Sequence, residues 1–249
     1  MKEKRLLETT SASLHIIAMC FMLCDHLWAT VIPGNEWLTC IGRMAFPIFA
    51  FLIVEGYAHT SNLKKYVLRL LLCAVLSEIP FDLVVGARMF YPFHQNVLWT
   101  FLIALGLIRL NEQVKGRGIA LRVLTAGGTV VLGYLAGLIT MVDYYHAGVL
   151  TVLAFYFFRG RKWWCYAGQL LCLGYINLEL LGGLGYEMPL LGGTVFLPQQ
   201  GFALLALLPI WLYRGRQGHH SRAMQFFCYS FYPLHLLVLG VLCAGIFNV

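Results

Sequence analysis

The sequence predicts an all-α fold: a polytopic transmembrane helix bundle of about nine spans, with its N-terminus in the cytoplasm and one domain over residues 1–249. Three observations predict it. The chain is 60% hydrophobic and only 12% charged, where soluble domains carry about 25% charged residues. Apolar runs of roughly the 20 residues needed to cross a bilayer recur along the whole chain. The basic residues fall in alternate connections between those runs, as the positive-inside rule requires.

The runs read as 14–32, 37–58, 66–86, 95–110, 118–139, 144–158, 163–181, 199–213 and 224–247. The sixth and eighth are short, and Pro80 interrupts the third, which reads as a broken helix. Lys2, Lys4 and Arg5 precede the first run. Lys64, Lys65 and Arg69 lie between the second and third, and Arg109, Lys115, Arg117 and Arg122 between the fourth and fifth. Arg159, Arg161 and Lys162 follow the sixth, and Arg214, Arg216 and Arg222 follow the eighth. Of the 18 Lys and Arg only Arg43 and Arg88 fall elsewhere. The net charge of +7 is thereby assigned to membrane insertion and anionic lipid head groups rather than to nucleic acid. The expected location is the cell membrane, crossed many times. No cleavable signal peptide is expected, because no small-residue cleavage site precedes a soluble region. The eight cysteines lie in or beside apolar segments with no CxxC, as packing residues do. The Gly-rich stretch 182–200 reads as an exterior loop.

Ionisable residues inside apolar runs are costly, about 2.5–3.5 kcal/mol each on insertion scales, and mark pathways or chemistry. Asp25 and His26 lie in the outer half of the first run and Arg43 in the outer part of the second. Glu78 and Asp82 lie in the outer part of the third. His94 and Asn96 open the fourth, Asp143 and His146 open the sixth, and His235 is near mid-depth in the ninth. All but His235 fall toward one side. Glu78 and Asp82 share a helix face at i, i+4, and Arg43 is their obvious cation; a salt-bridged latch between the second and third spans is one reading of that trio. His15 stands about 16 Å below His26 by helical rise, with Met19 and Met22 between them on a similar face. Those residues either line a path or pack the interior. His26 reads as a proton-handling base or as a buried structural histidine. Asp25 is about 100° around the helix from it and poorly placed to orient it, so a carboxylate of another span, Glu78 or Asp82, is the expected partner. No HExxH, GxSxG or phosphate-binding loop is present, and no spacing suited to a metal site.

The stretches LHIIAMCFMLCDHLWA, WLTCIGRMAFPIFAFLIVEGYAHT, KKYVLRLLLCAVLSEIPFD and FYPFHQNVLWTFLIALGLI together resemble the TraX family of membrane proteins, named for the conjugative F-pilin N-acetylase. The likeness is strongest over residues 11–110, with the closing FCYSFYPLHLL also family-like. That family in turn resembles the acyltransferase 3 membrane enzymes, which have a histidine late in the first span. They also have a second span of the pattern carried here by Gly42, Phe46, Pro47, Phe49, Phe51 and Gly56. Those relatives carry an arginine before the histidine; this chain has none between Arg5 and Arg43, so Arg43 takes that place or the mechanism differs.

The resemblance implies transfer of an acetyl group from cytoplasmic acetyl-CoA to an amine or hydroxyl on the exterior side, with His26 in the catalytic position. Asp25, Arg43, Glu78, Asp82, His94 and Asn96 are the other candidate catalytic residues. Arg43 or Asn96 would stabilise the oxyanion, and Glu78 or Asp82 would fix the tautomer of His26. His15, Lys64, Lys65, Arg69, Arg159, Arg161 and Lys162 are the candidates for binding the CoA donor. The expected partners are membrane lipids and a pilin-like peptide or cell-surface glycan as acceptor, with a second copy of the chain as a further candidate. A secondary transporter with a carboxylate and histidine coupling site is the rival class, and a non-catalytic scaffold a third.

Overall fold

The computed structural model describes residues 8–190, 193–219 and 221–247. Lys2, Lys4 and Arg5, part of the expected topology signal, lie outside the described residues. The chain is a helical membrane protein. Among the described residues, four helical segments are long and apolar enough to cross a membrane: Ser11–Thr30, Glu36–His59, Ile119–Ile139 and Arg222–Cys243. The other helical segments among the described residues are shorter or more polar, so four of the nine expected spans meet the length and apolarity needed to cross a membrane.

Helix α1 (Ser11–Thr30) starts at a capping box, in which the Thr10 hydroxyl accepts from the Ser13 amide and the Ser13 hydroxyl accepts from the Thr10 amide. The second run, expected as one span, is two helices, α2 (Glu36–Gly42) and α3 (Ala45–His59). Pro47 explains the break: a continuous helix would drive its ring into the carbonyl of Arg43, four residues earlier. The third run, expected to be broken at Pro80, is instead the uninterrupted α4 (Leu63–Val85). Then follow α5 (Val97–Gln113), α6 (Ile119–Ile139), α7 (Tyr145–Phe157) and α8 (Trp163–Tyr175), which ends in a π-helical turn, Ile176–Leu180. The expected loop over 182–200 is largely an antiparallel hairpin of β1 (Gly185–Leu190) and β2 (Gly193–Pro198), paired from Gly185 with Pro198 to Leu190 with Gly193. A 3₁₀ stretch (Gln199–Ala206) leads into α9 (Leu207–Trp211), and α10 (Arg222–Phe247) closes the chain.

Three helices run parallel. The amides of Ser11 and Ala12 donate to the carbonyls of Arg216 and Gln217, just before α10, and His26 of α1 meets His235 of α10. Helix α4 lies along α10 in the same sense, with Cys73 against Tyr229 and Leu83 against Gly240. Pro233 has no N–H for the Tyr229 carbonyl, and the Cys73 thiol supplies the missing donor at 3.3 Å. Helices α5 and α7 run the other way. The core between these layers is aliphatic and aromatic, with Leu14, Ala18, Ile48, Ala74, Ala104, Ile108, Val152 and Leu236 fully buried. Apolar side chains on the outside, such as Val123, Leu124, Val131 and Ile139 of α6, suit a lipid environment.

Candidate functional site

Two connections shape the polar end of the bundle. The segment between α4 and α5 folds back along α4, so that Asn96 reaches the Ala74 carbonyl at 2.9 Å. The short turn between α6 and α7 pairs with it: the Gln95 amide donates to the Met141 carbonyl at 2.9 Å, and the Asp143 amide donates to the Gln95 carbonyl at 2.8 Å. Met141 and Tyr144 in that turn, and Tyr145 at the first position of α7, all have φ between 45° and 60°. Left-handed backbone at non-glycine residues costs about 1–3 kcal/mol each and gathers at functional sites.

The side chains of these loops meet those of α1, α2 and α4. Asp25 lies 3.8 Å from the Arg43 guanidinium and accepts from the Thr39 hydroxyl at 2.8 Å. Gly42 makes the approach possible, since a Cβ there would collide with the Asp25 side chain. The Tyr144 hydroxyl lies near the Arg43 guanidinium, close enough to interact with it electrostatically, and the Tyr144 ring stacks on Phe46 at 4.1 Å. His94 Nε2 sits 3.2 Å from Asp143 Oδ1. That hydrogen bond, ahead of the opposing effect of burial, raises the His94 pKa. Asp143 is also close enough to act electrostatically on Asp25, His26 and Arg43, and Glu78 and Asp82 act in the same way on His94. Asp25, His26, Arg43, Glu78, Asp82, His94, Asn96 and Asp143, from separate runs, are therefore one connected cluster, without His146.

Their pairings differ from those expected. Arg43 pairs with Asp25 at 3.8 Å and lies near Tyr144, rather than being latched to Glu78 and Asp82. Glu78 is held by the Asn96 amide group and by the Trp99 indole, the latter at 2.8 Å. Both Asn96 N–H groups are occupied, by Glu78 and by the Ala74 carbonyl, so Asn96 has no donor left for an oxyanion. Asp82 accepts from the Tyr91 amide at 2.8 Å and pins the loop. Neither carboxylate orients His26. Its partner is His235, with His26 Nδ1 2.7 Å from His235 Nε2. His146 stands apart, packed against Tyr134 between α6 and α7.

A cavity of about 320 Å³ runs up the inside of α1 from the other end of the bundle, within the range of small-molecule sites. His15, Met19 and Met22 line it, with Arg69 and His59 at its mouth and Phe101 and Tyr232 at its top. From Ser11 to Met22 it follows α1 for about 16 Å. It ends at Met22 and Tyr232, one turn short of His26 and His235, so the open passage to the imidazole is incomplete in this conformation. A second cavity of about 260 Å³ shares Glu55, His59, Tyr213 and Gly215 with the first and is lined by Arg159 and Arg161. Glu55, 9% exposed, accepts from Arg159 Nε at 2.6 Å and ties the two together. Lys64, Lys65 and Lys162 are exposed and line neither cavity.

His235 was visible in the sequence only as a histidine near mid-depth. Tyr144, Thr39 and Trp99 carried no signal, because their roles come from contacts between separate runs.

The sequence model of a family described as TraX protein matches residues 10–243. The probable fimbrial assembly protein FimC, serogroup H1, of Dichelobacter nodosus is 27% identical over 248 residues, covering 94% of this chain and 96% of that protein. No solved structure matches the chain.

Proposed function

The chain belongs to the TraX family, and from that premise we propose that it is a membrane-embedded acetyltransferase. It moves an acetyl group from acetyl-CoA to an amine or hydroxyl on the far side of the membrane. The observation that carries this reading is the cavity along α1, which rises from a mouth with basic residues to within one turn of an imidazole pair, the half-buried His26 and the buried His235. Such a shape suits a long, thin thioester arm better than a compact solute.

In this reading the end bearing Arg69, Arg159 and Arg161 faces the cytoplasm, and these side chains take the CoA phosphates, with the exposed Lys64, Lys65 and Lys162 adding positive potential around the mouth. The arm passes His15 and Met19. Displacement of the Met22 and Tyr232 side chains brings the thioester carbonyl to His26. The acceptor's N–H or O–H loses its proton to His26 as its heteroatom bonds to the acetyl carbon. The tetrahedral oxyanion is met by Arg43, whose remaining N–H groups are uncommitted after Asp25 and Tyr144. The carbon–sulfur bond then breaks, and protonated His26 returns the proton to the departing thiolate, giving CoA and the acetylated acceptor. Positioned acid–base catalysis contributes about 10²–10⁴-fold.

A relative named for fimbrial assembly makes a pilin-like peptide the first acceptor to test, with a cell-surface glycan second. The transporter reading loses its main support, since α4 is continuous through Pro80.

The test is to incubate membranes containing wild type or His26→Ala with acetyl-labelled CoA thioester and each acceptor class, and to follow label in the acceptor. Label is expected with the wild type and lost by at least about 10²-fold in the variant. Equal labelling in both removes His26 from this role, and no labelling of either acceptor class by the wild type refutes the acetyltransferase itself.

A further inference from the structure

His26 and His235 present a geometry that fixes more than their proximity. His235 Nδ1 lies 2.7 Å from the carbonyl oxygen of Phe231, one turn earlier on α10. A carbonyl only accepts, so His235 Nδ1 carries a hydrogen and donates it. His235 is 9% exposed, and among the described residues its polar neighbours are the backbone of Phe231 and Tyr232 and the His26 ring. An imidazolium there would be a buried cation touching no carboxylate, which is costly. His235 is therefore the neutral tautomer with a bare Nε2. That lone pair faces His26 Nδ1 at 2.7 Å.

The rings are 6° from parallel with centroids 5.0 Å apart. This separation is the nitrogen–nitrogen distance plus one ring radius at each end, so the rings lie edge to edge and not face to face. The in-plane lone pair of His235 thus points along the line to His26. Phe231 stacks on a face of His235, 4.8 Å away and 18° from parallel, and holds the ring at that angle.

We infer that His235 is a positioning residue that accepts the Nδ1 hydrogen of His26, leaving His26 Nε2 as the unprotonated base. This inference rests on the acetyltransferase reading for its consequence, though not for its geometry. When Nε2 takes the acceptor's proton, the Nδ1–H bond to His235 becomes charge-assisted and strengthens. The device supports the protonated state without placing a carboxylate beside the ring, the task for which Glu78 and Asp82 were the candidates from sequence.

The test has two arms. In detergent-solubilised protein labelled with ¹⁵N-histidine, with His26 assigned by comparison with His26→Ala, wild-type His26 is expected to show a protonated Nδ1 and a bare Nε2. His235→Leu should lose that pattern and His235→Gln, whose side-chain oxygen reaches a similar position, should restore it. In the transfer assay His235→Leu should lower kcat by about 10²–10⁴-fold with little change in the KM for acetyl-CoA, and His235→Gln should recover most of it. A protonated Nε2 in the wild type, or a His235→Leu variant with wild-type kcat, overturns the inference. A wild type that transfers no acetyl group but shows the expected nitrogen pattern refutes the enzyme reading and leaves the His235 assignment standing.

Discussion

Replacing Arg43 by glutamine removes a charge and leaves Asp25 in place. At the 3.8 Å separation, unit charges at an effective dielectric of about 20 attract by about 4.4 kcal/mol. That is an upper value. The two side chains keep 22% and 19% of their surface, between exposed pairs worth about 0–1 kcal/mol and buried pairs costing about 3–5 kcal/mol to break. Asp25 also retains the Thr39 hydroxyl. The expected destabilisation is therefore about 2–3 kcal/mol. Asp25→Asn alone should cost less, because guanidinium is more weakly hydrated than an ammonium and Arg43 keeps Tyr144. The decisive measurement is a double-mutant cycle by reversible SDS titration in mixed micelles, followed by tryptophan fluorescence. Arg43→Gln should cost about 2 kcal/mol less when Asp25 is already asparagine. A coupling under about 0.5 kcal/mol, the level of independent sites, would show that the pair does not hold α1 to the α2–α3 break.

Three further outcomes are expected. The His94 pKa is raised by its bond to Asp143, so the folded state binds the His94 proton more tightly than the unfolded chain. Its contribution to stability is fully present below about pH 6.5 and declines as pH rises through the folded-state pKa. Thermal melts across that window should therefore fall with pH, and His94→Gln should flatten the fall; an unchanged slope refutes the pairing. Met19→Trp should fill the cavity along α1 and raise the KM for acetyl-CoA at least several-fold with a smaller change in kcat, so an unaltered KM would place the donor elsewhere. Asn96→Leu strips Glu78 of one of its two donors and should cost about 1.5–3 kcal/mol, read by the same titration, while Asn96→Asp should fare worse by adding a second carboxylate.

The helical segments were legible because an apolar run long enough to span a bilayer has few other structures available. The observed bounds fall close to the expected ones wherever the run alone decides. The discrepancies lie where backbone chemistry intervenes. Pro47 itself was a readable sign that the second run would break in the turn before it. Pro80 has the same chemistry and breaks nothing, since α4 is held over its length by α10. The hairpin had a signal in Tyr186 and in Thr194, Val195 and Phe196 between glycines, overlooked in favour of glycine content. The gathering of polar residues was legible from depth along each run. Their pairing was not, because register between helices distant in sequence is set by packing. His26 and His235 illustrate this: counted from Ser11 and from Arg222, where parallel helices begin, they stand at nearly the same height, but the parallel contact was invisible.

The polar cluster is built on connections, whereas its cavity is built on helices, and this division has a physical basis. Helix backbones in an apolar bundle bond within themselves and offer only side chains. A loop folded into the bundle must find partners for its own amides and carbonyls, and the two loops here find them in each other, through Gln95, Met141 and Asp143. That mutual bridge holds the turn in which Met141 and Tyr144 take left-handed backbone. Tyr144 is thereby turned inward, with its ring on Phe46 and its hydroxyl near Arg43. The strain is thus spent on aiming one side chain at the cation beside Asp25. A relaxed turn would release Tyr144 and leave Arg43 with Asp25 alone, so the loops set the direction in which the guanidinium faces while the helices set only its depth.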